Sequence, residues 1–341
     1  MEVTTYDSFG QFNAVCERTS LAQFITTYLR MVTFATNVSL ALHSSYRIGG
    51  PAQFFCEPKT VRGLATAVTH ARELKLPIFI LGGGTNIVFS DAGVFGVVIK
   101  PALTRIRVRG TALEAGAGAL MADIVSVAIA HGLSGLEWAG GLPGTLGGAI
   151  RGNAGAFGGE IKDCLRRVVS LPVQSKRLVA KTSTAAACNF DYRTSVFKEH
   201  SGEEIILSAQ LYLKRGDKKV IADATAEKIA YRNARHPMEH PNVGSIFKNV
   251  AFGTIAPRRR AQFTAVVKTD PFPVVPTAHL IAEAGLRGVS CGGAMISPKH
   301  PNFIVNALGA TASDVKALAR LVKETVRQKF GIELEEEIMY V

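Results

Sequence analysis

The sequence predicts an α+β protein, because strand-like and helix-like segments are mixed without the steady strand–helix–strand alternation of a parallel α/β sheet. Alternating apolar residues mark the clearest strand, Glu204–Leu213. An apolar stripe at helical spacing marks the clearest helix, which is capped by Thr311 and closed by Gly331. The 341 residues are enough for two or three domains of ordinary size.

The first third of the chain contains one helix and several short strands. Thr60 is the predicted N-cap of a helix that Pro77 ends. Two apolar segments, Ile78–Leu81 and Val94–Ile99, are predicted as buried strands. Thr104–Arg109 alternates apolar residues with arginines, as a half-buried strand does.

Helices and strands are also mixed in the rest of the chain. Met121–His131 is a predicted helix that Gly132 stops, and Arg167–Leu171 is a predicted strand. A further helix runs from about 222 to 234 and ends before Pro237, because the residue preceding a proline disfavours helical geometry. A last strand is predicted over Leu334–Tyr340.

Composition indicates a well-buried globular protein, since 47% of the residues are hydrophobic and only 19% are charged. No apolar run reaches the roughly 18–20 residues that span a bilayer, and the N-terminus lacks the pattern of a secretory signal. The five cysteines are scattered and form no CxxC pair, so we predict neither a disulfide framework nor a metal site. These features predict a cytoplasmic protein.

The net charge of +12 indicates an anionic partner, which is nucleic acid, a membrane surface or a phosphorylated small molecule. The basic residues are dispersed, and the tight cluster among them is Arg258–Arg260. A nucleic-acid-binding stripe is more concentrated than this. We therefore expect small phosphorylated ligands and no nucleic acid, with a monomer as the default state.

Two glycine-rich segments are candidate ligand sites. GGGTN (Gly82–Asn86) follows a predicted strand, and its successive N–H groups form either an anion-binding concavity or a plain tight turn. Its spacing matches neither GxGxxG nor GxxxxGK[ST]. The second segment, Gly140–Glu160, has nine glycines in twenty-one residues together with fixed apolar residues. That mixture favours a backbone surface that approaches a ligand over a flexible linker.

Four shorter segments are weaker candidates when each is taken alone. SSYRIGGPA places Arg47 beside a turn, and DYRTSVFK offers Arg193 as a carboxylate clamp or as a plain strand-edge arginine. NVGSIFKN contains Ser245 outside any GxSxG context, followed by Lys248 and Asn249. In LEEEI the strand period puts Glu335 and Glu337 on one face and Glu336 on the other.

Taken in order, these segments resemble the UDP-N-acetylenolpyruvoylglucosamine reductase (MurB) family of flavoenzymes. The resemblance spans about Ser44 to the C-terminus, and no single motif carries it. The matching stretches are YRIGGPA, LGGGTNIVFSDAGVFGVVI, GLSGLEWAGGLPGTLGGAIRGNAGAFGGEIKD, YRTSVFK, GSIFKN, AGLRGVSCGGAMISPKHPNFIVN and KFGIELEEEI.

The resemblance implies a two-subdomain FAD-binding fold of the vanillyl-alcohol oxidase (PCMH-like) type, followed by an α+β substrate-binding domain. We place the FAD subdomains at 31–100 and 101–215 and the substrate domain at 216–331. The strand within 332–341 is expected to return to the second FAD subdomain or to lie at the domain interface. Residues 1–30 carry no matching motif and are either a peripheral extension or the product of an upstream start.

The family chemistry implies FAD and NADPH as cofactors and a UDP-sugar enolpyruvyl ether as substrate. Flavin N5 would deliver hydride to the enolpyruvyl methylene carbon, and Ser245 would protonate the adjacent carbon. Arg193 and Glu337 would polarise the substrate carboxylate, with Glu335 as the alternative acid. Lys248, Asn249 and Asn302 would contact the substrate. The implied cofactor contacts are Arg47, Gly82, Gly83, Gly84, Thr85, Asn86, Gly140, Gly144, Gly148, Asn153 and Gly155.

Two departures from the family and two other functions stay open at this stage. Residues 250–279 form a long insertion that holds the arginine cluster, and the run from Leu213 to Ser245 is too short for the loop that carries a substrate-covering tyrosine in longer members. The alternative functions are an FAD-dependent alcohol or sugar oxidase of the same fold and a basic nucleic-acid-binding protein.

Overall fold

The computed structural model describes residues 33–175, 177–269 and 272–341. The predicted extension over 1–30 lies outside these ranges. Strands and helices are mixed as the α+β prediction requires. No helix in the described ranges is long and apolar enough to cross a membrane.

The first part of the chain folds into a four-stranded sheet of order β1-β2-β5-β3, in which β2, β3 and β5 are parallel and β1 is antiparallel to β2. Helix α1 packs its buried face on this sheet, and the Thr60 hydroxyl accepts a hydrogen bond from the Gly63 N–H, which confirms the predicted cap. The elements are β1 Ala35–Ser39, β2 Pro51–Cys56, α1 Val61–Glu73, β3 Ile78–Ile80, β4 Ile87–Val88 and β5 Val94–Ile99.

The second part is an antiparallel five-stranded sheet of order β12-β11-β13-β7-β6. Helices α2, α3 and α4 contribute to the apolar core beside it. Small two-stranded pairs, β8 with β14 and β9 with β10, join its loops. The elements are β6 Ile106–Arg109, β7 Ala112–Gly116, α2 Met121–Ala130, β8 Leu133–Ser134, α3 Leu146–Arg151, β9 Gly155–Ala156, β10 Gly159–Glu160, β11 Leu165–Pro172, β12 Lys181–Thr184, α4 Val196–Glu199, β13 Glu204–Tyr212 and β14 Lys214–Arg215.

The third part begins with a long helix and has its own apolar core. The elements are α5 Lys218–Arg235, β15 Val250–Ala251, α6 Pro257–Arg260, β16 Val274–Val275, α7 Thr277–Glu283, β17 Ser290–Cys291, β18 Ala294–Ile296, β19 Ile304–Asn306, α8 Ala312–Phe330 and β20 Met339–Tyr340. Strands β17, β18 and β19 form an antiparallel sheet against which α8 packs.

Helix α8 begins with two independent caps. Thr311 and Asp314 form the predicted capping box, and Gly331 ends the helix in the left-handed conformation. The carboxylate of Asp91 also accepts hydrogen bonds from the N–H groups of Ala312 and Ser313, at 2.7 and 3.1 Å. The first part of the chain therefore holds the N-terminus of the last helix, where a negative charge is favoured.

Two boundary predictions were wrong. Helix α5 begins at Lys218 rather than near 222, because the Asp217 carboxylate accepts hydrogen bonds from the N–H groups of Lys219 and Val220. The predicted strand over Leu334–Tyr340 is a strand only at Met339–Tyr340. The chain changes partner within this segment, since Glu336 bridges to Phe247 while β20 pairs in parallel with β4.

Strand β20 thus joins the range 31–100, not the sheet of the range 101–215. Residues Tyr46, Ile48 and Val88 from the first part also pack into the C-terminal core. The proposed domain boundaries remain a prediction.

Candidate active site

The GGGTN turn, Gly82–Asn86, packs backbone against backbone on the loop before α3. A Cβ atom on Gly83 would lie 2.7 Å from the Cα of Gly144, so a side chain there has no room. Gly84 has a positive φ of 64°, and a Cβ on it would lie 2.0 Å from the carbonyl oxygen of His43. Glycine is the residue that permits both the close approach and the left-handed backbone.

The backbone donors of these two loops face no protein acceptor. Among the described residues, no acceptor is hydrogen-bonded to the N–H groups of residues 82–86, nor to those of Gly144 and Thr145. Adjacent unpaired N–H groups in a turn form a concavity that binds anions. The two loops together therefore fit the diphosphate of a dinucleotide such as FAD.

A cavity of about 380 Å³ opens beside these loops. The residues that line it include Arg47, Thr85, Gly141, Pro143, Arg232 and His236. Arg47 has a positive φ of 53° in the YRIGG turn. The cavity lies where the two glycine loops meet the segment that leads to Ser245, with Gly244 in its wall.

Not all of the predicted cofactor residues face this region. Gly144 and Gly148 lie against the GGGTN turn, since a Cβ on Gly83 would lie 2.7 Å from the Cα of Gly144 and one on Gly82 3.9 Å from the N atom of Gly148. Gly140 is buried, and a Cβ on it would lie 2.7 Å from the carbonyl oxygen of Thr225 in α5. The absence of a side chain at Gly140 thus lets α5 pack closely, and the predicted cofactor contact of this residue stays a prediction.

Asn153 and Gly155 are likewise used by the protein itself. The Asn153 side chain is fully buried, with its amide donating to the Asp191 carbonyl at 3.0 Å and accepting from the Lys162 N–H at 3.4 Å. The Gly155 carbonyl accepts from Arg193 at 2.9 Å. Both positions therefore support the Arg193 turn, and their predicted cofactor contacts stay predictions.

Arg193 and Glu337 form an ion pair at the centre of the candidate site. Arg193 adopts a left-handed φ of 57° in a turn closed by Asp191 and Thr194. Its Nε lies 2.7 Å from Glu337 Oε1, and each side chain is 21% exposed. The Arg193 carbonyl accepts a hydrogen bond from Lys198 Nζ at 2.7 Å. Burial first, and then the charges of Lys248 and Arg151, hold the pKa of Lys198 below its usual value.

Ser245 lies on a short irregular segment that is held by hydrogen bonds on both sides of it. The N–H of Ile246 donates to the Asn302 carbonyl, and the Ile246 carbonyl accepts from the N–H of Glu337, both at 2.8 Å. On the other side, the Asn242 side chain accepts from the Gly244 N–H at 3.0 Å. The Ser245 hydroxyl, which is partly exposed, makes no hydrogen bond to the described residues.

Asn86 joins the glycine loop to the segment that contains Glu337. Its side-chain amide donates to the Glu337 carbonyl at 3.0 Å, and its own carbonyl accepts from the Met339 N–H at 3.1 Å. The anion-binding turn is therefore hydrogen-bonded to the segment that carries the acid.

The predicted substrate residues differ in their environments. Lys248 pairs with Glu335, whose side chain is 71% exposed. Asn249 accepts from the N–H of Thr277 at the start of α7, at 3.1 Å. Asn302 is 3% exposed, and its amide accepts from the Phe247 N–H at 3.1 Å and donates to the Phe247 carbonyl at 2.8 Å. This bidentate contact gives Asn302 a structural role, and its predicted substrate contact stays a prediction.

Three residues at the site were missed from the sequence. The guanidinium of Arg193 lies 5.2 Å from the ring centre of Tyr192, and burial raises the pKa of that phenol. Arg232 donates to the Gly140 carbonyl at 3.0 Å, and burial, followed by the charge of Arg193, lowers its pKa. Tyr192 and Lys198 both stand in the YRTSVFK motif, which was itself the signal that could have found them. No comparable signal marked Arg232.

Two models of known protein families match this chain, one in each half. A family model described as an FAD binding domain matches residues 52–173. A second model, described as the C-terminal domain of UDP-N-acetylenolpyruvoylglucosamine reductase, matches residues 236–341.

Curated relatives cover nearly the whole chain. The UDP-N-acetylenolpyruvoylglucosamine reductase of Caldanaerobacter subterraneus is 37% identical over 306 residues, which is 89% of this chain and 92% of that protein. The enzyme of the same name from Listeria innocua is 36% identical over 315 residues, covering 91% and 95% of the two chains.

A crystal structure agrees with these relatives. The UDP-N-acetylenolpyruvylglucosamine reductase (MurB) of Thermus caldophilus superposes with a TM-score of 0.71 at 29% identity, over 91% of this chain and all of that one. The predictions of the family, of an FAD-binding α+β fold and of an FAD-dependent oxidoreductase are thus confirmed. The chain belongs to the UDP-N-acetylenolpyruvoylglucosamine reductase family, the FAD-containing oxidoreductases of peptidoglycan precursor synthesis.

Proposed function

We propose that this protein reduces the enolpyruvyl ether of UDP-N-acetylglucosamine to the lactyl ether, UDP-N-acetylmuramate, with NADPH as the electron source. The observation that carries the proposal is that Glu337 links three parts of the site by hydrogen bonds. Its carbonyl accepts from the Asn86 side chain of the glycine turn, and its carboxylate pairs with Arg193. Its N–H donates to the carbonyl of Ile246, the residue after Ser245. A flavin held by the turn would lie beside groups suited to a carboxylate substrate.

The two glycine loops hold the cofactor in this proposal. The unpaired N–H groups of residues 82–86, with those of Gly144 and Thr145, bind the FAD diphosphate. The chemistry that FAD would supply when bound is the transfer of hydride from NADPH to the methylene carbon of the substrate.

Arg193 stabilises the charge that develops on the substrate. Hydride addition to the methylene carbon leaves electron density on the neighbouring carbon, which is conjugated with the carboxylate. The Arg193 guanidinium uses Nε for Glu337 and Nη2 for the Gly155 carbonyl, so further N–H groups remain for the substrate carboxylate. Because the donors are fixed before the reaction, they stabilise the developing charge without reorganising.

Ser245 donates the proton that completes the reduction. A serine hydroxyl is a weak acid, so it protonates only a strongly basic centre held within hydrogen-bonding distance. The bonds at Gly244 and Ile246 fix the backbone on both sides while the hydroxyl stays unpaired.

The two half-reactions separate these roles. NADPH is expected to bleach the flavin of the purified protein anaerobically, and the enolpyruvyl sugar nucleotide is expected to restore its colour. We expect Ser245→Ala to leave the first step within about 2-fold and to slow the second by at least about 100-fold, the contribution of a positioned acid. Ser290→Ala, at an exposed strand position, is the matched control. Equal losses in both steps would argue against proton donation by Ser245.

The same preparation tests the alternative functions. An oxidase would reoxidise its flavin with oxygen and would not require the sugar nucleotide. A protein that stays colourless after incubation with FAD would contradict both flavoenzyme functions and leave the nucleic-acid-binding alternative.

A further inference from the structure

The two described ends of the insertion after Asn249 pair with each other as a hairpin. Strands β15 and β16 pair with Val250 opposite Val275, and the Phe252 N–H donates to the Pro273 carbonyl at 2.8 Å. Lys268 and Val274 exchange two backbone hydrogen bonds, at 2.9 and 2.8 Å. The register of the returning strand is therefore set from both sides.

Buried contacts also anchor this hairpin to the C-terminal core. Phe263 is 2% exposed and packs against Phe330 of α8, with ring centres 5.9 Å apart. Arg260, from the cluster singled out in the sequence, donates to the carbonyls of Ile255 and Gly253 at 2.8 and 2.7 Å. Arg260 of the cluster therefore stabilises the fold of the insertion itself.

Phe272, just before β16, reaches the candidate active site. Its ring meets the Tyr192 ring edge to face, with centres 5.1 Å apart and planes at 86°. Tyr192 in turn lies under the Arg193 guanidinium, which pairs with Glu337. A continuous series of contacts therefore runs from Phe272 in the insertion through Tyr192 to Arg193, the proposed carboxylate clamp.

We propose that Phe272 is a positioning residue for Arg193, and that the insertion serves to deliver it. The inference rests on the role proposed above for Arg193. Arg193 holds a left-handed backbone, which is unfavourable for a residue with a side chain and persists where the surroundings enforce it. Phe272 fixes the Tyr192 ring, and the fixed ring limits the orientations of the guanidinium that stacks on it. A Phe272 that merely covered apolar surface would stabilise the fold without affecting substrate turnover.

The test compares Phe272→Leu, which removes the aromatic edge, with Phe272→Tyr, which keeps it. Phe272→Leu is expected to lower kcat/KM for the enolpyruvyl sugar nucleotide about 2- to 12-fold, the range contributed by an edge-to-face pair, while flavin reduction by NADPH stays within about 2-fold. Phe272→Tyr is expected to retain the wild-type kcat/KM. Phe252→Leu is the matched control, since Phe252 belongs to the same insertion but faces Arg260.

A double-mutant cycle with Tyr192→Leu separates positioning from general packing. If Phe272 acts through Tyr192, the double variant loses no more kcat/KM than Tyr192→Leu alone. Additive losses, an equal loss in Phe252→Leu, or wild-type kinetics in a folded Phe272→Leu would each overturn the proposal. A wild-type protein that cannot reduce the sugar nucleotide would instead contradict the proposed function itself.

Discussion

The Nε atom of Arg193 lies 2.7 Å from Oε1 of Glu337, although 144 positions separate the two residues in the chain. Glu335, two residues earlier, forms its ion pair with Lys248 and is largely exposed. Glu336 points the other way, toward Lys323 at 3.7 Å. The three adjacent acids therefore have three different partners, and only Glu337 is paired with the proposed clamp.

We predict that Glu337→Gln and Glu335→Gln have very different effects. Glu337→Gln loses the charge that orients Arg193, and hydrogen bonds between charged groups contribute about 1.5–3 kcal/mol. Reoxidation of the flavin by substrate should therefore slow about 10- to 150-fold in Glu337→Gln. Glu335→Gln should stay within about 3-fold, because an exposed ion pair contributes little. Stopped-flow absorbance of the flavin measures both rates, and the opposite order would make Glu335 the functional acid.

Asn302→Ala is predicted to reduce stability more than catalysis. The substitution leaves the N–H and carbonyl of the buried Phe247 without partners, and each such group costs about 1–3 kcal/mol. We expect the free energy of unfolding in urea to fall by about 2–6 kcal/mol. Asn302→Asp keeps the acceptor and should show a smaller loss. A large rise in KM for the sugar nucleotide with unchanged stability would restore Asn302 as a substrate contact.

Gly83→Ala is predicted to weaken FAD binding. The added methyl group would lie 2.7 Å from the Cα of Gly144, and overpacking of this kind costs about 1–3 kcal/mol. The Kd for FAD, measured by quenching of flavin fluorescence, should rise about 5- to 150-fold. The control is Gly253→Ala, because no atom lies within 4 Å of a Cβ at Gly253. Similar affinities in the two variants would show that the loops adjust freely.

Stability is predicted to fall as the pH drops from about 6.5 toward 4. His236 and His300 face each other with ring centres 5.4 Å apart, and burial is the main reason why the pKa of each is lowered to about 4. The remaining charged groups near them are Arg232 and Lys299 for His236, and Lys268 and Arg287 for His300. All of these are cations, so they oppose protonation.

The direction of this pH effect on stability follows from proton uptake on unfolding. Between the two pKa values the unfolded chain binds protons that the folded chain does not, so acid favours unfolding. We expect the free energy of unfolding to be about 1–3 kcal/mol lower at pH 5 than at pH 7. His236→Phe keeps an aromatic ring and should reduce this difference by about half. An unchanged difference in that variant would contradict the assignment to the histidine pair.

Local features were predictable from the sequence, whereas contacts across the chain were not. The caps at Thr60 and Thr311 depend on residues three positions away, so spacing alone identified them. The Asn302–Phe247 contact joins residues 55 positions apart, and nothing in the local sequence distinguishes an asparagine that binds backbone from one that binds substrate.

The insertion was unpredictable for a related reason. Its own residues gave no periodic pattern, because its shape comes from register with β16 and from one phenylalanine, Phe263, that inserts into a distant core. The resemblance did predict Arg193 and Glu337 as a pair, because it carries over the shared role of two motifs that lie far apart in the chain.

The contact between Gly83 and Gly144 implies that neither loop of the cofactor site can acquire its shape alone. Each loop is shaped by its contact with the other loop, and the sixty residues between them must fold before that contact can form. FAD affinity in this protein is therefore a reporter of completed tertiary structure. A partly folded chain should bind the dinucleotide not weakly but scarcely at all, so that retention of yellow colour can serve as a sensitive index of correct assembly.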